Sequence, residues 1–344
     1  MLHALLTRDS LRRLVAPLVV MVLAALLGVA ARAPSPYALI TPGEAIAVIP
    51  SITLPPESRH EAGDLYFTVV YVKPASWGEW VVARIDPQVE EVVPREEIEP
   101  PDIPIEQMNE LNRRMMEESK AVASVVGLRA SGFAVEIRGR GARVVAVMPN
   151  SPAVGVLQEN DVILASDDTP MPTAIDLVTS VQRLRPGDAV RLTVRRGDQT
   201  LEIPPIVTIA SPTEPERPMV GVMLLTELFD YDLPFAVQIE SDALGGPSAG
   251  LMFALGVYDL ATPGVLGQGQ KVAGTGTIAL DGMVGPVGGA AQKLIAAEAQ
   301  GAPIFLAPTE NAADARAVAT SARVVEVATF DDAVRALAPG SVAR

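Results

Sequence analysis

Gly245-Gly246-Pro247-Ser248-Ala249-Gly250 sets a single hydroxyl among residues with little side-chain bulk. An alternating apolar run, Phe235 to Ile239, precedes it, and a helix-like run, Leu251 to Leu255, follows. Gly245 and Gly246 permit backbone angles that other residues resist, and Pro247 fixes the approach. A helix start collects unpaired N–H groups and the positive end of the dipole. Those donors suit a helix cap, and equally a nucleophile whose oxyanion needs them. On this stretch alone both readings stand.

A serine nucleophile needs a base. The chain has no cysteine and two histidines, His3 at the extreme N-terminus and His60 in a polar loop. Lysine remains, because arginine cannot deprotonate near neutral pH. Four of the 27 basic side chains are lysines, at Lys73, Lys120, Lys271 and Lys293. Lys293 follows Gly288-Gly289 on a helical pattern. Its neighbours three and four residues away are Gly289, Ala290, Ala296 and Ala297, all small and uncharged. Burial without a counter-ion favours the neutral amine; the alternative is a side chain reaching past the alanines to water. Thr275, within the strand-like Lys271 to Ile278, has a hydroxyl suited to hold that amine. Lys271 is the competing base, but its polar surroundings predict a solvated charge.

The elements that must position these groups belong to a chain of 344 residues, 49% hydrophobic, long enough for more than one domain. A net charge of −14 argues against a nucleic-acid partner. The lack of cysteine excludes disulfides and cysteine-bound zinc, and two histidines supply a histidine metal site poorly. No metal or other cofactor is expected. Leu14 to Ala31 is free of charge. As a helix it would span about 27 Å, near the hydrocarbon thickness of a bilayer. Arg8, Arg12 and Arg13 precede it, which places residues 1–13 in the cytoplasm, a transmembrane helix at 14–31 and the rest outside. Ala31-Arg32-Ala33 has the form of a signal-peptide cleavage site, but the apolar run is longer than such signals use.

Residues 32–126 read as a proline-rich extended start, a strand at Asp64 to Val72, a partner strand at Trp80 to Ile85 and a helix at Ile105 to Val126. Residues 127–209 are β-rich, with strands at Phe133 to Ile137, Ala142 to Val147, Ala189 to Arg195 and Gln199 to Ile203, and a helix at Ala174 to Leu184. Residues 210–218 form a linker by composition, and 219–344 an α/β unit.

Ser151-Pro152-Ala153, Asn160-Asp161-Val162-Ile163 and the loop Ala130-Ser131-Gly132-Phe133 make residues 127–209 resemble a PDZ domain. The resemblance implies that Ala130, Ser131, Gly132 and Phe133 cradle a peptide carboxylate while the peptide adds as a strand. Ser248 within Gly-Pro-Ser-Ala-Gly, Thr275-Gly276-Thr277, Gly285-Pro286-Val287-Gly288-Gly289 with Lys293, and Asn311 in the segment 307–315 resemble the proteolytic domain of Lon proteases over roughly residues 219–335. That family implies an α/β (α+β) fold, Ser248 as nucleophile, Lys293 as base, Thr275, Gly246 and Pro247 in support, and a homo-oligomeric ring, a hexamer. The whole layout is similar to the YlbL-like membrane proteins of Gram-positive bacteria. No Gly-x-x-x-x-Gly-Lys-Ser/Thr phosphate loop occurs in this sequence.

The expectation is a plasma-membrane, single-pass serine endopeptidase without ATP dependence. It acts outside the cytoplasm on protein substrates with flexible termini, assisted by the PDZ-like segment. The rival reading is a catalytically silent, membrane-tethered peptide-binding scaffold. A tail-specific Ser-Lys protease shares the chemistry but not these motifs. A penicillin-binding Ser-x-x-Lys is absent, and a trypsin-like enzyme lacks its histidine.

Overall fold

The computed structural model describes residues 8–85, 91–98, 104–138, 140–211, 215–227, 230–241 and 245–338. The chain divides into two compact units, one from Met1–Thr41 and Tyr71–Asp102, the other from Pro42–Val70 and Ile103–Arg344.

The first unit holds helix α1 (Arg8–Arg32), the start of strand β1 (Pro34–Ala47), the end of β2 (Asp64–Ser76), helix α2 (Trp77–Ala83) and strand β3 (Glu91–Pro94). β1 pairs antiparallel with β3 from Tyr37↔Pro94 to Ile40↔Glu91. Leu39, Ala75 and Ala83 form its small core. Residues 80–85, expected as a strand, lie instead in α2 and the turn after it. Ser76 and Glu79 explain this: the Ser76 side chain accepts from the Glu79 N–H while the Glu79 side chain accepts from the Ser76 N–H. This capping box outweighs the β-branched run behind it. Among the described residues no helix is long and apolar enough to cross a membrane. The expected span at 14–31 includes residues 14–17 and 23, whose side chains lie outside the described residues.

In the second unit helix α3 (Ile105–Ala130) comes first. A β-rich module follows: β4 (Glu136–Arg138), β5 (Ala142–Val147), β6 (Val162–Ser166), helix α4 (Ala174–Gln182), β7 (Leu192–Arg196), β8 (Gln199–Glu202), β9 (Val222–Thr226) and β10 (Asp230–Asp232). Its main sheet runs β8-β7-β6-β5-β9. Ala142, Val144, Ile163, Leu177, Val181, Leu192 and Val194 fill its core. The strand at 222–226, expected beyond the linker in the α/β unit, pairs with β5 and closes this sheet.

Helix α5 (Gly250–Ala261), strands β11 (Lys271–Gly274), β12 (Thr277–Ile278) and β13 (Val284–Gly285), helix α6 (Ala290–Ala299), β14 (Ile304–Pro308), helix α7 (Ala312–Val318), β15 (Arg323–Val327) and helix α8 (Phe330–Leu337) complete the unit. β15, β14, β11 and β2 form a parallel sheet. α3 packs along α5, and both contribute to the largest core with Phe67, Leu251, Phe253 and Leu306. The crossing is close: a Cβ on Gly250 would meet the Ser119 hydroxyl at 2.7 Å. The β-rich module is thus inserted between α3 and α5, two helices of one core.

Candidate active site

Ser248 sits in a half-buried turn two residues before α5. Two elements hold that turn. From α3, the Asn112 carbonyl accepts from the Gly246 N–H at 3.1 Å, and the Ser119 hydroxyl donates to the Pro247 carbonyl at 3.1 Å. From the other side, the Gly276 N–H and the Thr275 hydroxyl donate to the Ser248 carbonyl at 2.9 and 3.1 Å. Gly246 has φ +86, a conformation that glycine adopts freely and L-residues resist. The helix begins after Ser248, with the Gly250 N–H bound to the Pro247 carbonyl, so the serine side chain is not the helix cap.

Lys293 lies on the first turn of α6 and is 3% exposed. Its Nζ donates to Thr275 Oγ1 at 3.2 Å. Thr275 is fully buried where β11 ends, its N–H held by the Leu306 carbonyl. One threonine hydroxyl therefore joins the amine to the serine's own peptide. Burial lowers the Lys293 pKa from 10.5 to about 7. The cause is desolvation: the alanine-rich face brings no carboxylate to hold the charge. Such an amine is substantially neutral near neutral pH and can accept a proton. Lys271, the competing base, binds the Gln300 carbonyl at 3.2 Å and stands 5.6 Å from the Tyr66 ring centre.

Asn311 locks the loop that leads into α6. Its amide accepts from the Val287 N–H at 2.8 Å and donates to the Val287 carbonyl at 3.0 Å. Sequence reasoning singled out the segment but assigned it no task. Asn112 and Ser119 went unnoticed; their only sequence signal is the polar gap Ser119 leaves on the apolar face of α3.

The loop Ala130-Ser131-Gly132-Phe133 differs from its expected role. The N–H groups of Ser131, Gly132 and Phe133 bond to the carbonyls of Gly127, Arg129 and Leu128, closing the end of α3. Phe133 stacks edge-on against Phe235, 5.1 Å between ring centres. Donors spent on a helix end are not available to a carboxylate. The sheet edge beside α4 is β9 instead, and Thr226 Oγ1 accepts from the Ala174 N–H at 2.9 Å.

Carboxylates gather where this module meets the α/β part. Asp176 of α4 accepts from the Leu280 N–H at 3.1 Å, and Arg183 pairs with Asp281 at 3.0 Å. Glu118 of α3 accepts from the N–H and hydroxyl of Thr226. Burial raises the pKa of both Glu118 and Asp176.

Residues 240–336 match the family described as the Lon protease (S16) C-terminal proteolytic domain, and residues 123–204 match the PDZ domain family. Lon protease 1 of Herpetosiphon aurantiacus is 39% identical over 84 residues, which is 24% of this chain and 10% of that protein. Lon protease 1 of Thermus thermophilus is 37% identical over 89 residues, 26% of this chain and 11% of that protein. The chain thus spans about a tenth of the length of these relatives. Among solved structures, the PDZ domain of the SdrC-like protein from Listeria monocytogenes is 22% identical, covering 26% of this chain and 92% of that one, with a TM-score of 0.24. A Geobacillus thermodenitrificans protein solved in solution is 34% identical, covering 24% and 95%, with a TM-score of 0.22. The chain carries a Lon-type proteolytic segment together with a PDZ segment.

Proposed function

We propose that this protein is an ATP-independent serine endopeptidase with a Ser248–Lys293 dyad, anchored by α1 with its other elements outside the cytoplasm. One observation carries the reading: a buried lysine with a pKa of about 7, tied through Thr275 to the peptide of the turn's only serine. Neutral Lys293 takes the Ser248 hydroxyl proton as the oxygen attacks a peptide carbonyl, and later returns it to the leaving amine. Backbone N–H groups of the turn around Ser248 stabilise the oxyanion. Thr275 holds the amine in position. Substrates are flexible protein segments. A peptide guest of the PDZ segment would add at β9, beside α4.

The test is cleavage of an unstructured peptide by the full chain in detergent, with labelling by a serine-directed phosphonate. Wild type should cleave and label. Ser248→Ala and Lys293→Arg should do neither while keeping the wild-type circular dichroism. A folded wild type that neither cleaves nor labels would leave the silent scaffold as the better reading.

A further inference from the structure

Helix α2 and the end of β2 carry an apolar surface that the catalytic reading does not use. Tyr71, Val72, Trp77, Val81, Val82 and Ile85 are between 42% and 78% exposed. Trp77 and Val81 lie four apart on α2, Val82 is beside them, and Ile85 follows in the next turn. Contiguous apolar exposure of this kind marks an interaction surface.

Its occupant follows from what it adjoins. α2 begins at the last turn of α1: the Trp77 N–H donates to the Ala33 carbonyl at 3.0 Å, and a Cβ on Gly78 would stand 2.9 Å from the Ala31 oxygen. Along α1, the described large apolar side chains, Leu18 to Val22, Leu26, Leu27 and Val29, are uncovered, and the helix ends in Arg32. Tyr37, Trp77 and Trp80 cluster there, with ring centres 5.7 to 6.4 Å apart. Arg84 lies over Trp80 at 5.1 Å, and Lys73 pairs with Glu79 at 2.9 Å. Tryptophan and tyrosine with neighbouring cations are the composition of a membrane–water boundary, where rings sit at headgroup level and cations reach the phosphates. An apolar face that starts where an apolar helix ends meets the plane of the bilayer before any soluble partner.

We infer that α2 is a second membrane contact, lying along the outer surface with Trp77, Val81, Val82 and Ile85 in the headgroup–acyl boundary. The inference rests on reading α1 as an anchor. It gives the protein two points on the bilayer rather than one tether.

Trp77 and Trp80 are the only two tryptophans, so intrinsic fluorescence reports this element alone. The full chain is reconstituted in vesicles whose lipids are brominated either near the headgroup end of the acyl chains or near their tips. The expected result is a blue-shifted emission, quenched by at least half with shallow bromines and much less with deep ones. Val81→Asp with Ile85→Asp should abolish most of that quenching while the chain still floats with the vesicles. A chain that floats but is quenched by neither lipid overturns the surface contact and leaves the anchor standing. Emission shielded from lipid bromines and from aqueous iodide alike means that protein covers the face, which also overturns it. A chain that does not float overturns both readings.

Discussion

Replacing Lys293 by methionine should make the folded protein more stable and catalytically dead, and the gain should depend on pH. The amine is 3% exposed and its pKa falls from 10.5 to about 7 through desolvation. At ~1.4 kcal/mol per pH unit, folding disfavours its charge by about 5 kcal/mol. Above the unfolded pKa both states hold a neutral amine, so the lysine carries no penalty. As pH falls below that value, the unfolded chain binds a proton that the folded chain refuses, and wild type loses stability. The loss is complete near pH 7, where the folded amine also protonates. Methionine keeps the length of the side chain and does not titrate. It should exceed wild type by about 3–5 kcal/mol at pH 6 to 7, the lower end allowing for the Thr275 hydroxyl left without its donor. The advantage should shrink by about 1.4 kcal/mol for each pH unit above 7. Urea unfolding followed by circular dichroism, at steps from pH 6 to 9.5, measures this. A difference that is independent of pH, or a less stable variant at pH 6, would refute a desolvated neutral amine.

The same pKa predicts that kcat/KM for a peptide substrate rises about tenfold from pH 6 to pH 8 as the neutral amine fills; a flat or falling profile would exclude Lys293 as the base. Thr275→Val removes the hydroxyl between Lys293 and the Ser248 peptide. It should lower kcat by roughly 10- to 100-fold with little change in KM and displace the midpoint of the pH profile, neither of which a purely packing role would do. Glu118 is buried with its pKa raised by desolvation, so the folded state holds its proton longer than the unfolded state. Wild type should therefore lose stability as pH climbs above the ordinary carboxylate range, and Glu118→Gln should retain about 1–3 kcal/mol more at neutral pH, fading at acid pH, as read by thermal or urea unfolding.

How much of this was legible in the sequence depends on the range of the interaction. Ser248 and Lys293 stood out because their neighbours are small, and because so few side chains in this chain can serve as a base. The helices over 105–130, 174–182 and 250–261 followed from local periodicity, whereas the strand expected over Lys271 to Ile278 is two short strands, Lys271–Gly274 and Thr277–Ile278, with Thr275 between them. Trp80 to Ile85 misled because β-branched residues outnumber the two that set the capping box, Ser76 and Glu79. The carboxylate loop misled for another reason. Gly132-Phe133 has the right residues, but their N–H groups finish a helix, a use that depends on where α3 ends. The pairing of β9 with β5 joins residues about 80 apart, from Val222↔Val147 to Thr226↔Ala142, and no local pattern announces it.

The hold of α3 on the Ser248 turn bears on when the proposed enzyme can first act. Ser119 and Pro247 are 128 residues apart, with the whole β-rich module between them. Thr275 and Lys293 lie further on still. A chain made from its N-terminus presents α3 long before the turn it must grip, and contacts of such separation form late because the intervening loop must be closed first. On the proposed reading, the newborn chain lacks a complete site until Thr275 and Lys293 have emerged and docked. A chain cut or stalled before α6 holds the serine without its base. On the proposed reading, activity waits until the chain has been made through α6.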